Sequence, residues 1–150
     1  MNQEYKRRKE FDFLFTSTSP NIAVVAARGT GKTVAAVQST ISRLLCGRPN
    51  SSAIFFSATL SQAKGTVEGP MRMIMQSYPD GFCRYNISEH KYKFYVAEDD
   101  VREFLLLSYE NQETKRGFHP DTVVLDECGS MPADMFGLVI EPMLELQRCL

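Results

Sequence analysis

Two short stretches carry the residues able to do chemistry. AARGTGKT occupies residues 26–33, and Asp126-Glu127 follow the apolar run Thr122-Val123-Val124-Leu125. In the first, Gly29 and Gly31 let successive backbone N–H groups turn toward an anion through angles that a side chain would resist. Arg28, Gly29, Thr30, Gly31, Lys32 and Thr33 together make a phosphate cradle. Lys32 reaches the β- and γ-phosphates of a nucleoside triphosphate, Thr33 offers its hydroxyl to Mg2+, and the following helix presents its positive end. Ala26 stands where the GxxxxGK[ST] pattern has its first glycine. That position needs only ordinary backbone angles, so the loop is expected to bind.

Asp126-Glu127 supplies the complementary half. Asp126, at a strand tip, is placed to hold the cation through water. Glu127 beside it is placed to polarise an attacking water as general base. A strand ending in Asp-Glu is common, and a GTGKT loop by itself can be an ordinary strand-to-helix turn; the two together point to ATP hydrolysis with Mg2+. Charge that builds on the γ-phosphate oxygens calls for a guanidinium. Arg28 lies inside the loop and can act in cis. Arg116, in TKRGFHPD ten residues before Asp126, reads either as a surface arginine in a turn or as a group facing a neighbouring subunit. His119 reads as a turn residue before Pro120.

The elements that must position these groups follow from the apolar pattern. Residues 22–25 and 53–56 read as buried strands, and 122–125 as a third. A helix is expected from the loop through about Leu45, stopped by Gly47 and Pro49. Residues 60–78 read as loop and helix, with Pro70 opening MRMIMQSY and its Met71, Met73 and Met75 used in packing. Residues 92–96 and 101–107 flank the turn-rich Glu98-Asp99-Asp100 as an antiparallel hairpin. The helix from Ala133 is expected to break near Pro142. Phe11, Leu14 and Phe15, behind the basic cluster 6–9, suggest a short amphipathic helix with a solvated charged face. Buried strands separated by helices define an open, mainly parallel α/β sheet.

The 150 residues are 43% hydrophobic and 23% charged, enough for one core, with a net charge of −1 that excludes a globally basic nucleic-acid binder. A basic face on a neutral chain leaves DNA open as a partner. Four scattered cysteines without a CxxC pair and two histidines argue against zinc or a disulfide framework. There is no apolar signal segment and no run approaching the ~20 apolar residues of a membrane span, so a reducing cytoplasm is expected.

Several segments together resemble the ATPase domain of the large terminase subunit, the DNA-packaging motor of tailed bacteriophages. They are AARGTGKT, FFSATLSQAK, the hairpin KYKFYVAEDDVREFLLLSYENQETKRG, FHPDTVVLDECGSMP and VIEPML, covering nearly all of the chain from about residue 20. The resemblance implies a P-loop NTPase fold of the ASCE type, with a mainly parallel sheet flanked by helices and an antiparallel hairpin insertion. It implies an ATPase that translocates double-stranded DNA into a procapsid as a homo-oligomeric ring on the portal protein, with a small terminase subunit, in the host cytoplasm. Lys32 and Thr33 are then the phosphate and magnesium contacts, Asp126 the metal-site acid, Glu127 the catalytic acid, Arg28 the loop arginine and Arg116 a trans finger.

The chain departs from that pattern in three ways. The adenine-contacting glutamine has no counterpart, the hairpin turn is acidic, and the strand and nuclease domain that follow in large terminases lie beyond Leu150. In such ATPases the next strand inserts between the Asp-Glu strand and the phosphate-loop strand. The fold is therefore expected to be incomplete without that central strand, supplied by a longer chain or a partner, with a compact rearranged sheet as the alternative, and no nuclease activity is expected from these residues. A helicase-like translocase and a catalytically silent nucleotide-binding or assembly subunit are the rival readings.

Overall fold

The computed structural model describes residues 8–110 and 118–145. Five strands form one mixed sheet in the order β2-β3-β4-β1-β5: β1 Ser52–Ser57, β2 Cys83–Asn86, β3 Lys91–Ala97, β4 Asp100–Ser108 and β5 Thr122–Leu125. β1 lies between β4 and β5 and is parallel to both, pairing Ala53 with Phe104 on one side and with Thr122 on the other. β2, β3 and β4 form an antiparallel meander on one flank. The expected hairpin is thus β3-β4, with Ala97 opposite Asp100 at its turn.

The period of two along β1 and β4 builds two cores. Ala53, Phe55, Phe104 and Leu106 face the helices α2 (Lys32–Cys46) and α3 (Leu60–Met75), which bring Val37, Ile41, Leu44, Ala63, Val67 and Met71. Ile54, Phe56, Leu105 and Leu107 face the opposite layer, where Met135, Val139, Ile140 and Met143 cover them. Burying each of Phe55, Phe56 and Phe104 completely contributes roughly 1.5–3 kcal/mol. Burial on both faces explains why β1 reads as a continuous apolar run rather than an alternating one. The second layer is a π-helical turn at Phe136–Ile140 running into α4 (Glu141–Glu145), so the irregularity falls just before Pro142, which sits in the first turn of α4.

Helix α2 ends as its sequence indicates, the Gly47 N–H bonding back to the Leu44 carbonyl. Helix α3 does not begin at Pro70: it starts at Leu60 behind the N-cap Thr59 and runs through the proline. Gly69 removes the Cβ that would oppose the proline ring, which relaxes the usual bar on a helical residue before proline, and Pro70 itself is buried. Of the three methionines at its end, Met71 is buried and Met75 is exposed. The amphipathic N-terminal segment is a 3-10 turn at Lys9–Phe11 followed by α1 (Phe13–Thr16). Phe11 and Leu14 are buried, and Arg43 donates to the Leu14 and Ser17 carbonyls at 3.0 and 2.7 Å.

Residues 22–25 correct the sequence reading, because they are not a strand. Val24 and Ala26 pack against Phe11, Leu14 and Ala35, while Val25 is 100% exposed and Ile22 37%. Val24, Val25 and Ala26 alternate in, out and in, whereas Ile22 and Ala23 are both exposed, and there is no ladder because no described strand lies alongside. Among the described residues β5 pairs with β1 alone, and its four residues are half-buried. The one strand not foreseen, β2, has the sequence Cys83-Arg84-Tyr85-Asn86 and pairs with β3.

The loops at the N-terminal ends of β1, β4 and β5 are tied by polar groups. Arg102 donates from Nε and Nη2 to the Asp100 carboxylate, the latter at 2.6 Å, and from Nη1 to the Leu44 carbonyl at 2.7 Å. The Arg102 guanidinium, with the Asn50 N–H, holds the Asp100 carboxyl below the usual carboxylate range. Asp121 accepts from Arg48 at 2.7 Å and from the Ser52 N–H at 2.9 Å, fixing the start of β5 against β1.

Candidate functional site

The chemistry-bearing residues converge at the C-terminal ends of the parallel strands, the crevice where open α/β sheets bind ligands. The loop at 26–33 has Gly29 at φ 73° and Gly31 at φ 87°, both in the left-handed region that glycine occupies without strain. A Cβ on Gly29 would meet nothing within 4 Å, so its backbone angle, not space, requires glycine there. Gly31 is the N-cap of α2 and carries no side chain to cap the helix, so the positive end of a 15-residue helix opens into the loop. Thr30 Oγ1 donates to the Ala27 carbonyl at 2.9 Å and Lys32 Nζ to the Ala26 carbonyl at 3.3 Å. The lysine thus curls back over its own loop toward Ala26. Arg28 is exposed on the loop.

The loop meets the Asp-Glu pair directly: Thr33 Oγ1 donates to Asp126 Oδ1 at 3.4 Å, bridging 93 residues of sequence. The Asp126 N–H continues the β5 ladder to the Phe56 carbonyl at 2.9 Å, and the buried Tyr109 hydroxyl donates to the Asp126 carbonyl at 2.6 Å. Both contacts fix the backbone that aims this carboxylate. Burial pushes the Asp126 carboxyl above its usual range, and the Glu127 charge adds to the push, while the Thr33 hydroxyl and the Lys32 ammonium oppose it. A half-buried acid beside a second acid is an electronegative point that a divalent cation would relieve. The donor set, a hydroxyl and a carboxylate, has the hard oxygens that Mg2+ prefers.

Glu127 follows in the left-handed conformation, φ 52° and ψ 52°. For a residue with a Cβ this costs on the order of 1–2 kcal/mol, and the cost is sustained by local bonds: Ser130 donates both its N–H and its Oγ to the Glu127 carbonyl at 2.9 Å. The left-handed step turns Glu127 away from the strand direction, so adjacent acids point differently. Its side chain is exposed, and its Oε2 accepts from Gln62 Nε2 at 2.9 Å.

Sequence reasoning placed Lys32, Thr33, Asp126 and Glu127 at one site, and the structure brings them to one end of the sheet. It missed Gln62 and Tyr109. Thr59 and Gln62 have the spacing of a capping box, and Thr59 Oγ1 does accept from the Gln62 N–H at 3.1 Å. In such a box the Gln side chain returns to the N-cap; here it crosses to Glu127. Ser57, at the C-terminal end of β1, has a buried hydroxyl without a hydrogen-bond partner among the described residues. Arg116 lies outside the described residues.

No protein-family model and no curated protein matches the chain. Solved structures do. The large terminase ATPase domain of Thermus phage P74-26 superimposes with a TM-score of 0.78 at 22% identity, covering 96% of this chain and 62% of that one. The large terminase of a second thermophilic bacteriophage, in complex with ADP, gives a TM-score of 0.73 at 14% identity over 89% of this chain and 35% of that one. Its complex with ATP-gamma-S gives 0.61 at 14% identity, over 74% and 26%. The chain therefore spans less than two thirds of these neighbours' own length. The likeness is one of fold: a mixed α/β sheet with a parallel core of β4, β1 and β5, flanked by helices, as in terminase ATPase domains. Among the described residues no helix is long and apolar enough to cross a membrane.

Proposed function

We propose that the chain is the ATPase portion of a viral DNA-packaging motor, a large terminase that couples ATP hydrolysis to movement of double-stranded DNA into a procapsid. The observation that carries this reading is the 3.4 Å contact between Thr33 and Asp126, which sets a phosphate-binding loop against an acid pair at the carboxyl ends of the strands. The fold shared with large terminases, one of them solved with ADP and with ATP-gamma-S, supports the same reading.

In the mechanism, backbone N–H groups of residues 28–33 and the Lys32 ammonium hold the phosphates. Glu127 takes a proton from the attacking water, and Arg28 neutralises charge on the γ-phosphate oxygens. Thr33 and Asp126 would hold Mg2+, which when bound screens the phosphate charge. Arg116, from a ring neighbour, completes the site in trans. The portal protein and small terminase subunit are the expected partners.

The expected result for the isolated chain is that a fluorescent ATP analogue binds with magnesium and at least about tenfold more weakly with chelator. Duplex DNA then stimulates phosphate release by the assembled motor. Unwinding of the duplex without any procapsid would favour a helicase-like translocase instead. Nucleotide binding unaffected by magnesium would remove the basis of the reading.

The unpaired segment at 22–25 and the open edge of β5 support a second element of the proposal: a further apolar strand, from additional chain or a partner, lies between them. Exposed Val25 and Ile22 are the surface it would cover. Backbone amides of 22–25 are expected to exchange at nearly unprotected rates in this chain, and at least about a hundredfold more slowly once the strand is supplied. Equal exchange in both states would exclude the insertion.

A further inference from the structure

Glu127 has the geometry of a group that needs an external orienter. It follows the last residue of the β5 ladder, its side chain is exposed, and its backbone, not its rotamer, is what the Ser130 contacts fix. Three free side-chain torsions separate that backbone from the carboxylate. The contact that defines where the carboxylate lies is the 2.9 Å bond from Gln62.

Gln62 is itself anchored. It is the third residue of α3, its N–H is held by the Thr59 side chain, and Ala63 beside it is fully buried in the sheet-facing core. The amide is therefore presented from a rigid helix start, while the acid it holds stands on a turn. The same first turn of α3 places positive helix-end potential beside the carboxylate. The bond occupies Oε2 and leaves Oε1 to meet a water.

Resting on the reading of Glu127 as general base, we propose that Gln62 is the positioning residue of this site: its side-chain amide holds Glu127 in one orientation so that the second carboxylate oxygen faces the attacking water. The role is one of direction and does not involve nucleotide contact. Truncating Gln62 then lowers kcat and leaves nucleotide affinity alone, a split that general loss of structure would not produce.

The experiment uses the full chain in its active assembly, with phosphate release and fluorescent-nucleotide binding measured in parallel. Gln62→Ala is expected to lower kcat about ten- to a hundredfold, the effect of losing a hydrogen bond to a charged group, with nucleotide Kd changed less than about twofold. Gln62→Glu keeps the length but replaces the donor with a like charge, and is expected to lose at least as much. Gln62→Lys restores a donor and is expected to recover turnover to within about threefold of the parent.

Glu127→Gln serves as the reference. If it retains turnover, the general-base reading itself is wrong. If it is inactive while Gln62→Ala and Gln62→Glu turn over like the parent, only the role of Gln62 is overturned. A measurement independent of turnover stands beside these: the side-chain amide resonance of Gln62, identified by its loss in Gln62→Ala, is expected to move when Glu127 becomes alanine. An unmoved resonance would overturn the contact and the proposal with it.

Discussion

Glu127→Gln in the active assembly is expected to lower ATP turnover by at least about 10²–10⁴-fold, the range assigned to a positioned general base, while nucleotide affinity stays within about twofold. Glutamine preserves the volume and can still meet Gln62 through its carbonyl oxygen, so the turn and the 2.9 Å contact have no steric reason to change. What is lost is the lone pair that takes the proton from water. The backbone cost of the left-handed conformation at φ 52° is the same for both residues, so thermal stability is expected to move little. Phosphate release and fluorescent-nucleotide binding on the same preparation check the prediction. A variant that binds ATP and hydrolyses it at the parent rate would assign the base elsewhere.

How much of this was legible depends on how local each feature is. Helix α2 was readable because its start, Gly31-Lys32, and its stop, Gly47, are written within its own fifteen residues and their neighbours. β1 and the β3-β4 hairpin were readable for the same reason, since four consecutive apolar residues and an acidic turn carry the signal without outside help. Residues 22–25 show the opposite case. Ile22-Ala23-Val24-Val25 has strand composition, but a strand exists only with a partner, and none lies beside it among the described residues. β2 was missed because Cys83-Arg84-Tyr85-Asn86 shows no apolar run; its strand character is conferred by the pairing of Tyr85 with Tyr92, whose rings lie 4.6 Å apart. Pro70 misled because the helix runs through it: Gly69 removes the clash with a preceding Cβ, and the bond lost at the proline nitrogen is tolerated inside a packed helix.

The site divides along the same line. GTGKT and the Asp-Glu strand tip announce themselves by residue type, because phosphate and a hard cation each demand a narrow set of groups. Their union through Thr33 and Asp126 spans 93 residues and follows only from the parallel order that sets β5 beside β1. Gln62 carried no signal of its own: as the third residue behind Thr59 it reads as part of a capping box, and its N–H is indeed the donor that the Thr59 hydroxyl caps. Its side chain acquires another use only because the turn after β1 and the turn after β5 end at the same edge of the sheet.

Lys32→Ala is expected to weaken ATP binding at least about a hundredfold, a larger effect on affinity than that of Arg28→Ala in the same loop. The Lys32 ammonium donates to the Ala26 carbonyl at 3.3 Å, so the charge already lies against the loop that carries Gly29 and Gly31. A bound triphosphate replaces one weak neutral acceptor with several anionic oxygens, and charge-assisted bonds of that kind are roughly twice as strong as neutral ones. The substitution also removes the positive charge that opposes the upward push on Asp126, so the cation side of the site is left more electronegative and the phosphate side unsupported. Lys32→Met keeps most of the side-chain stem and lacks the charge; if stem packing held the loop, this variant would bind like the parent, whereas charge neutralisation predicts that it fails like alanine. Arg28→Ala provides the contrast, because an exposed guanidinium acting on charge that develops during hydrolysis is expected to lower kcat about tenfold or more with little change in Kd. Titration of fluorescent ATP into the three variants separates these cases, and parent-like affinity in both Lys32 variants would remove the loop from nucleotide binding.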